Sequence, residues 1–219
     1  MREVFQQELR EVQERLVEIS ELVTVAITNA TAAFNESNVT LAETVIAEDP
    51  KIDALAASLD ELAIGILALQ QPVARDLRIV VTALRVSASL ERMGDIAEHI
   101  AQLARYRYPD KVVKKSLRQT FAEMGRLDVE ISKKLTVLLR TEDMQLAEQI
   151  RNDDDAIDEL HVSVFDAVLG SHWKGEAVDT VDVTLASRYH ERFADHAVSI
   201  AKKVQYLATG EWPGNTQNP

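Results

Sequence analysis

The stretch Pro72 to Arg107, PVARDLRIVVTALRVSASLERMGDIAEHIAQLARYR, decides the fold. Ile79, Ala83, Val86, Leu90, Met93, Ala97, Ile100 and Ala104 recur at steps of three and four residues. That spacing lays one unbroken apolar stripe along a helix expected from about Val73 to Arg107, roughly 50 Å long. Gln71-Pro72 punctuates its start and Tyr108-Pro109 its end. Leu77, Val81, Leu84 and Ala88 make a second, shorter apolar stripe, continued by Glu91, Asp95, Glu98 and Gln102. With about a hundred degrees of turn per residue, these acids lie more than a third of a turn from the core stripe, and they are expected on the outside of the bundle.

Working outward, Glu91-Arg92-Met93-Gly94-Asp95 returns as Glu191-Arg192-Phe193-Ala194-Asp195, one hundred residues later. The apolar residues around the second copy, Val183, Ala186, Phe193, Ala197, Ile200, Val204 and Leu207, form the same inward stripe. Leu41-Ala42-Glu43 matches Leu146-Ala147-Glu148, and Ile52-Asp53-x-Leu55 matches Ile157-Asp158-x-Leu160, both at an offset of 105. The chain therefore reads as a duplication, and two copies of a helical bundle fit it best. In the first copy, Leu9, Leu16, Val23 and Ala30, interleaved with Val12, Ile19, Ala26 and Ala33, predict a helix over about 2–35. A second segment is expected over 39–47, and a new helix from Asp49-Pro50 to Gln70, because Asp suits an N-cap and Pro the first helical position. In the second copy, helices are expected near 111–140, 142–151, 154–169 and 176–208. The division is 1–109, 110–210 and a flexible tail over 211–219, with Gly210 a C-terminal cap.

Composition agrees with an all-α class: 219 residues hold only 7 Gly and 5 Pro. A net charge of −12 repels phosphate backbones and argues against nucleic-acid binding. With no cysteine, neither disulfides nor thiolate metal sites are available. The first residues lack an apolar signal core, and the longest uncharged run, Leu22 to Asn35, is too short and polar to span a bilayer. The expectation is a soluble cytoplasmic protein that reaches a membrane only through partner complexes.

Two carboxylates four residues apart share one side of a helix and repel each other, so a pair repeated in register points to a bound cation. Glu91, Asp95, Glu191 and Asp195 are the candidate metal ligands. Carboxylates alone suit hard cations such as Mg²⁺, Mn²⁺, Ca²⁺ or Fe³⁺, with Zn²⁺ also admissible; the sequence does not choose among them. Two carboxylates fall short of a coordination shell, so other helices, water or phosphate must complete it. His99, one turn beyond Asp95, is a further candidate, although a surface histidine is the better reading because Ser199 stands at its counterpart. His190 falls on the core stripe and reads as a hydrogen-bonded core residue, whereas His196 lies off both faces. Asn152-Asp153-Asp154-Asp155 lacks the glycine and glutamate of a calcium loop and reads as a helix N-terminus. Asp158-x-x-His161 alone has the style of a di-metal carboxylate bundle, which makes such a metalloenzyme the alternative function.

Gln70-Gln71-Pro72-Val73-Ala74-Arg75-Asp76-Leu77-Arg78 followed by Glu91-Arg92-Met93-Gly94-Asp95-Ile96-Ala97 closely resembles the first repeat of the PhoU family, accessory regulators of phosphate transport. Ser187-Arg188-Tyr189-His190-Glu191-Arg192-Phe193-Ala194-Asp195-His196-Ala197, with Tyr206-Leu207-x-Thr209-Gly210, resembles the second. The resemblance covers nearly the whole chain. It implies an all-α fold of two tandem three-helix bundles with long antiparallel helices, and metal at Glu91, Asp95, Glu191 and Asp195. It further implies a non-enzymatic, homodimeric adaptor that contacts the ATPase of the phosphate ABC transporter and a sensor histidine kinase. Such an adaptor restrains phosphate uptake and the phosphate-starvation response. The family often has Asn after the acidic motif, where this chain has His99 and Ser199. His172-Trp173-Lys174-Gly175-Glu176 also replaces the Gln-Pro-Val-Ala-Arg-Asp element in the second repeat, so the two sites are expected to differ.

Overall fold

Long amphipathic segments with few glycines fold here as six α-helices, and the computed structural model describes residues 2–211 with no β-strand among them. The order is α1 (Arg2–Glu36), α2 (Val39–Gln70), α3 (Ala74–Arg107), a 3₁₀ turn at Lys115–Leu117, α4 (Arg118–Thr141), α5 (Met144–Leu169) and α6 (Ala177–Thr209). Helices α1, α2 and α3 pack on one another, as do α4, α5 and α6. The tail expected beyond residue 211 lies outside the described residues.

The α1–α2 and α4–α5 corners repeat residue for residue. Ser37 and Glu142 both adopt left-handed backbone. The next residues, Asn38 and Asp143, then cap the following helix by accepting from Leu41 N at 3.0 Å and Gln145 N at 2.9 Å. Two expectations fail in the helices that these caps open. The break expected at Asp49-Pro50 is absent, and Pro50 sits inside α2. Its missing N–H costs one intrahelical bond. The buried stripe Ala42, Val45, Ile52, Ala56, Leu59, Ala63 and Ile66 nevertheless runs past it without interruption, and core packing wins. Likewise Asn152 to Asp155 lie in the middle of α5, because Ile150, Ile157 and Val164 carry one buried stripe across the acid run. Residues 111–114, expected as helix, form an irregular lead-in to the 3₁₀ turn.

The two bundles share one continuous core. Helix α1 is long and apolar enough to cross a bilayer by length and composition. Its apolar side, however, is packed against α2, α3 and α4. Against α4 it runs antiparallel: Phe34 meets Phe121 with ring centroids 5.5 Å apart. A β-carbon on Gly125 would come within 3.0 Å of Thr31, so the helices nearly touch there. Farther along, hydroxyls face one another: Ser20 and Thr136 at 2.8 Å, Thr24 and Ser132 at 2.7 Å, with Thr24 also 3.4 Å from Thr136. Helices α3 and α6 form a second antiparallel contact. Arg107 grips Asp182 with two nitrogens, Nη2 donating to Oδ1 at 3.0 Å, and His99 stacks on Tyr189 at 5.3 Å. Of the four outer apolar residues on α3, Leu77, Val81 and Ala88 are exposed, while Leu84 packs against the core.

Candidate metal centres

Heptad packing puts Asp49 and Asp53 of α2 opposite Glu91 and Asp95 of α3, because each acid lies just beside its helix's buried stripe. The acids expected on the outside of the bundle lie at its surface where two helices meet: Glu91, Asp95 and Glu98 are half-buried and Asp53 is exposed. Asp49, Asp53 and Asp95 each bring one carboxylate oxygen within 4.8 Å of the other two. Arg92 Nη1 donates to Asp95 Oδ2 at 2.7 Å and compensates part of the charge. The remainder weighs on Asp49, whose carboxyl is pushed up to about 6, first by burial and then by Asp53, Glu98, Asp95 and Glu91.

The second repeat sets the corresponding acids, Asp154 and Asp158 of α5 and Glu191 and Asp195 of α6, near enough to act on one another electrostatically. Asp154 stands 105 residues after Asp49 and Asp158 105 after Asp53. Burial, then Asp158, Asp195, Asp155 and Glu191, push the Asp154 carboxyl up to about 7. Burial and then Asp195 also raise Glu191 and Asp158. Arg188 pairs with Glu191, yet Asp154 Oδ1 and Glu191 Oε2 are buried without a hydrogen-bond partner. Buried carboxylate oxygens that accept no bond are costly unless a cation answers them. Three close carboxylates in the first site, two orphaned carboxylate oxygens in the second and the absence of cysteine fit a hard, oxygen-seeking cation.

Sequence reasoning named Glu91, Asp95, Glu191 and Asp195; the structure sets the first two beside Asp49 and the last two beside Asp154, with Asp195 exposed. It missed Asp49, Asp53, Asp154 and Asp158. Their signal was present: both pairs keep the i, i+4 spacing and the offset of 105. The acid run at 152–155 is no helix N-terminus, since it lies within α5 and one of its members, Asp154, belongs to the second acid cluster. His99 does not join the first cluster but lies half-buried against Tyr189. His190 is the core residue expected, its Nδ1 donating to the buried Asp128 Oδ2 at 2.5 Å beside Phe34 and Phe121. His196 is half-buried, and burial followed by Arg192 pushes its pKa down. His161 Nδ1 bonds Ser187 Oγ at 3.0 Å, which occupies one ring nitrogen of the histidine on which the metalloenzyme alternative rested.

The chain matches the PhoU domain twice, over residues 16–104 and 121–204. It is 42% identical, across 97% of its own length and 100% of the relative's, to phosphate-specific transport system accessory protein PhoU homolog 2 of Mycobacterium tuberculosis. It is 41% identical to the PhoU homolog 1 of Mycobacterium leprae, over 100% of this chain and 99% of that one. Among solved structures, the phosphate transport system regulatory protein PhoU from Streptococcus pneumoniae superposes with a TM-score of 0.83 at 26% identity, covering 95% of this chain and 98% of that chain.

Proposed function

The chain belongs to the PhoU family, and from that premise we propose that it is a non-enzymatic accessory regulator of phosphate transport. In this reading it is a cytoplasmic homodimer that contacts the ATPase subunit of the phosphate ABC transporter and a sensor histidine kinase. It restrains phosphate uptake and the starvation response when phosphate is plentiful. The observation that carries the reading is end-to-end likeness to chains named as accessory proteins of the phosphate-specific transport system. Long helices with exposed apolar residues such as Leu77 and Val81 suit docking to partners.

The metal reading extends it. Asp49, Asp53, Glu91 and Asp95 would hold a hard cation in the first repeat, and Asp154, Asp158, Glu191 and Asp195 in the second. Bound there, the cation supplies the positive charge that lets the carboxylates of one site ionise together. The residues on both helices of each site then hold α2 to α3 and α5 to α6.

Affinity capture of the full chain from phosphate-replete cells tests the reading, with bound proteins identified by mass spectrometry. Recovery of the transporter ATPase or a sensor kinase, lost on phosphate withdrawal, is the expected result. Recovery of neither would overturn the adaptor role.

A further inference from the structure

Positions 94 and 194 are the same place in the two repeats, yet one is glycine and the other alanine. Both are buried inside their acidic motif, just before the aspartate. A methyl on Gly94 would stand 3.0 Å from Ile52 Cδ1, 3.3 Å from Ile52 Cγ2 and 3.2 Å from Asp49 Oδ1. Those separations are tighter than a methyl accepts unless its neighbours move. Glycine is a poor residue for a helix interior, so close approach is what it provides here. Helix α2 rests directly on the α3 backbone at this point, with Asp49 in the contact.

The second repeat has a methyl in that place. Ala194 is wholly buried, as is Ile157, the counterpart of Ile52. Among the described residues, the group of three acid oxygens within 4.8 Å of one another is the one in the first repeat. The two sites have the same acids but different floors.

Building on the metal reading above, we infer that Gly94 makes the two sites unequal: its missing methyl seats α2 on α3 so that Asp49, Asp53 and Asp95 close on one small divalent cation, whereas Ala194 holds α5 farther from α6 and leaves the second site looser. Small divalent cations demand short, regular oxygen cages, so a methyl's thickness at a site's floor changes which site fills first. Gly94 touches no cation in this scheme. It is a positioning residue that acts through Asp49.

Titration of the metal-stripped full chain with Mn²⁺, followed by calorimetry and by the electron-spin signal of free Mn²⁺, tests this. Two classes of site are expected, the tighter removed by Asp95→Asn and the weaker by Asp195→Asn. Gly94→Ala should weaken the tight class by about tenfold or more, the scale of effects from residues that orient ligands, and leave the weak class unchanged. Ala194→Gly should tighten the weak class. If Gly94→Ala fails to fold, Gly94→Ala with Ile52→Val removes the Cδ1 contact while keeping the methyl against Asp49, and the same loss is expected. Unchanged affinities in the folded variant, or a tight class that disappears with Asp195→Asn, would overturn the inference while leaving metal binding in place. Binding of Mn²⁺ at neither site would overturn the metal reading and the inference together.

Discussion

Asp154 shows how an environment, rather than a residue type, sets the behaviour of a carboxyl. Its carboxyl is pushed up from 3.8 to about 7, by burial before the neighbouring acids. In the metal-free chain the folded state therefore keeps a proton that the unfolded chain releases above its own pKa. Stability from this group is fully present at acid pH and lost as pH rises from about 4 through about 7. Asp154→Asn should remove that slope and stabilise the metal-free protein at pH 8 by on the order of 1 kcal/mol, after discounting for solvent around a half-buried group. Urea midpoints at pH 4.5 and pH 8 check this; parallel slopes in the two proteins would refute it. Glu91 and Glu191 stood out in the sequence because the same E-R-x-x-D element carries each. Asp154 was not, because an acid run reads locally as a helix start, and only the stripe Ile150, Ile157 and Val164 places it mid-helix.

At the scale of helices, the duplication supplies its own control. Where the second repeat buries Asp128 against His190, the corresponding residues of the first are Val23 and Leu90, both fully buried. The polar pair is incompletely answered: Asp128 Oδ1 and His190 Nε2 are buried without partners. Removing one member strands the other, which typically costs about 3–5 kcal/mol, whereas replacing both with fitting apolar groups is often neutral or stabilising. Asp128→Val alone should thus destabilise by about 3 kcal/mol, and adding His190→Leu should recover most of the loss. A double variant no more stable than the single one would show that the pair is more than a substituted hydrophobic contact. Pro50 offers a second test, since it is exposed within α2 and its counterpart is Asp155. Pro50→Ala should gain about 1–2 kcal/mol, below the full cost of a mid-helix proline because the surrounding packing has already adapted; thermal unfolding reads it. The apolar stripes made helix existence legible, but Pro and Asp were misread as boundaries. Local end signals are weaker than a heptad that continues on both sides of them.

Across the whole molecule, the bundles are joined through α1 with α4 and α3 with α6, and their core is continuous. The repeat was visible in the sequence, but this joining was not, because a period shows which residues are equivalent and not which copies touch. Ile27 and Ile131 lie in different repeats and both are wholly buried. Ile27→Ala and Ile131→Ala should each cost about 2–5 kcal/mol and lower the same single transition in denaturant. Two separable transitions, each sensitive to one substitution, would mean that the halves unfold independently.

The facing hydroxyls between α1 and α4 have a mechanical consequence. Thr24 already lies 2.7 Å from Ser132 and 3.4 Å from Thr136, so its oxygen has two alternative partners on the opposite helix. The hydrogen of Thr24 goes to Ser20 O on its own helix and that of Thr136 to Ser132 O on the other, so a slip that carried Thr24 from Ser132 to Thr136 would strand the Ser132 hydroxyl. The joint therefore acts as a register key. With Phe34 seated on Phe121 and Gly125 almost against Thr31 farther along the same seam, both halves are keyed to one alignment.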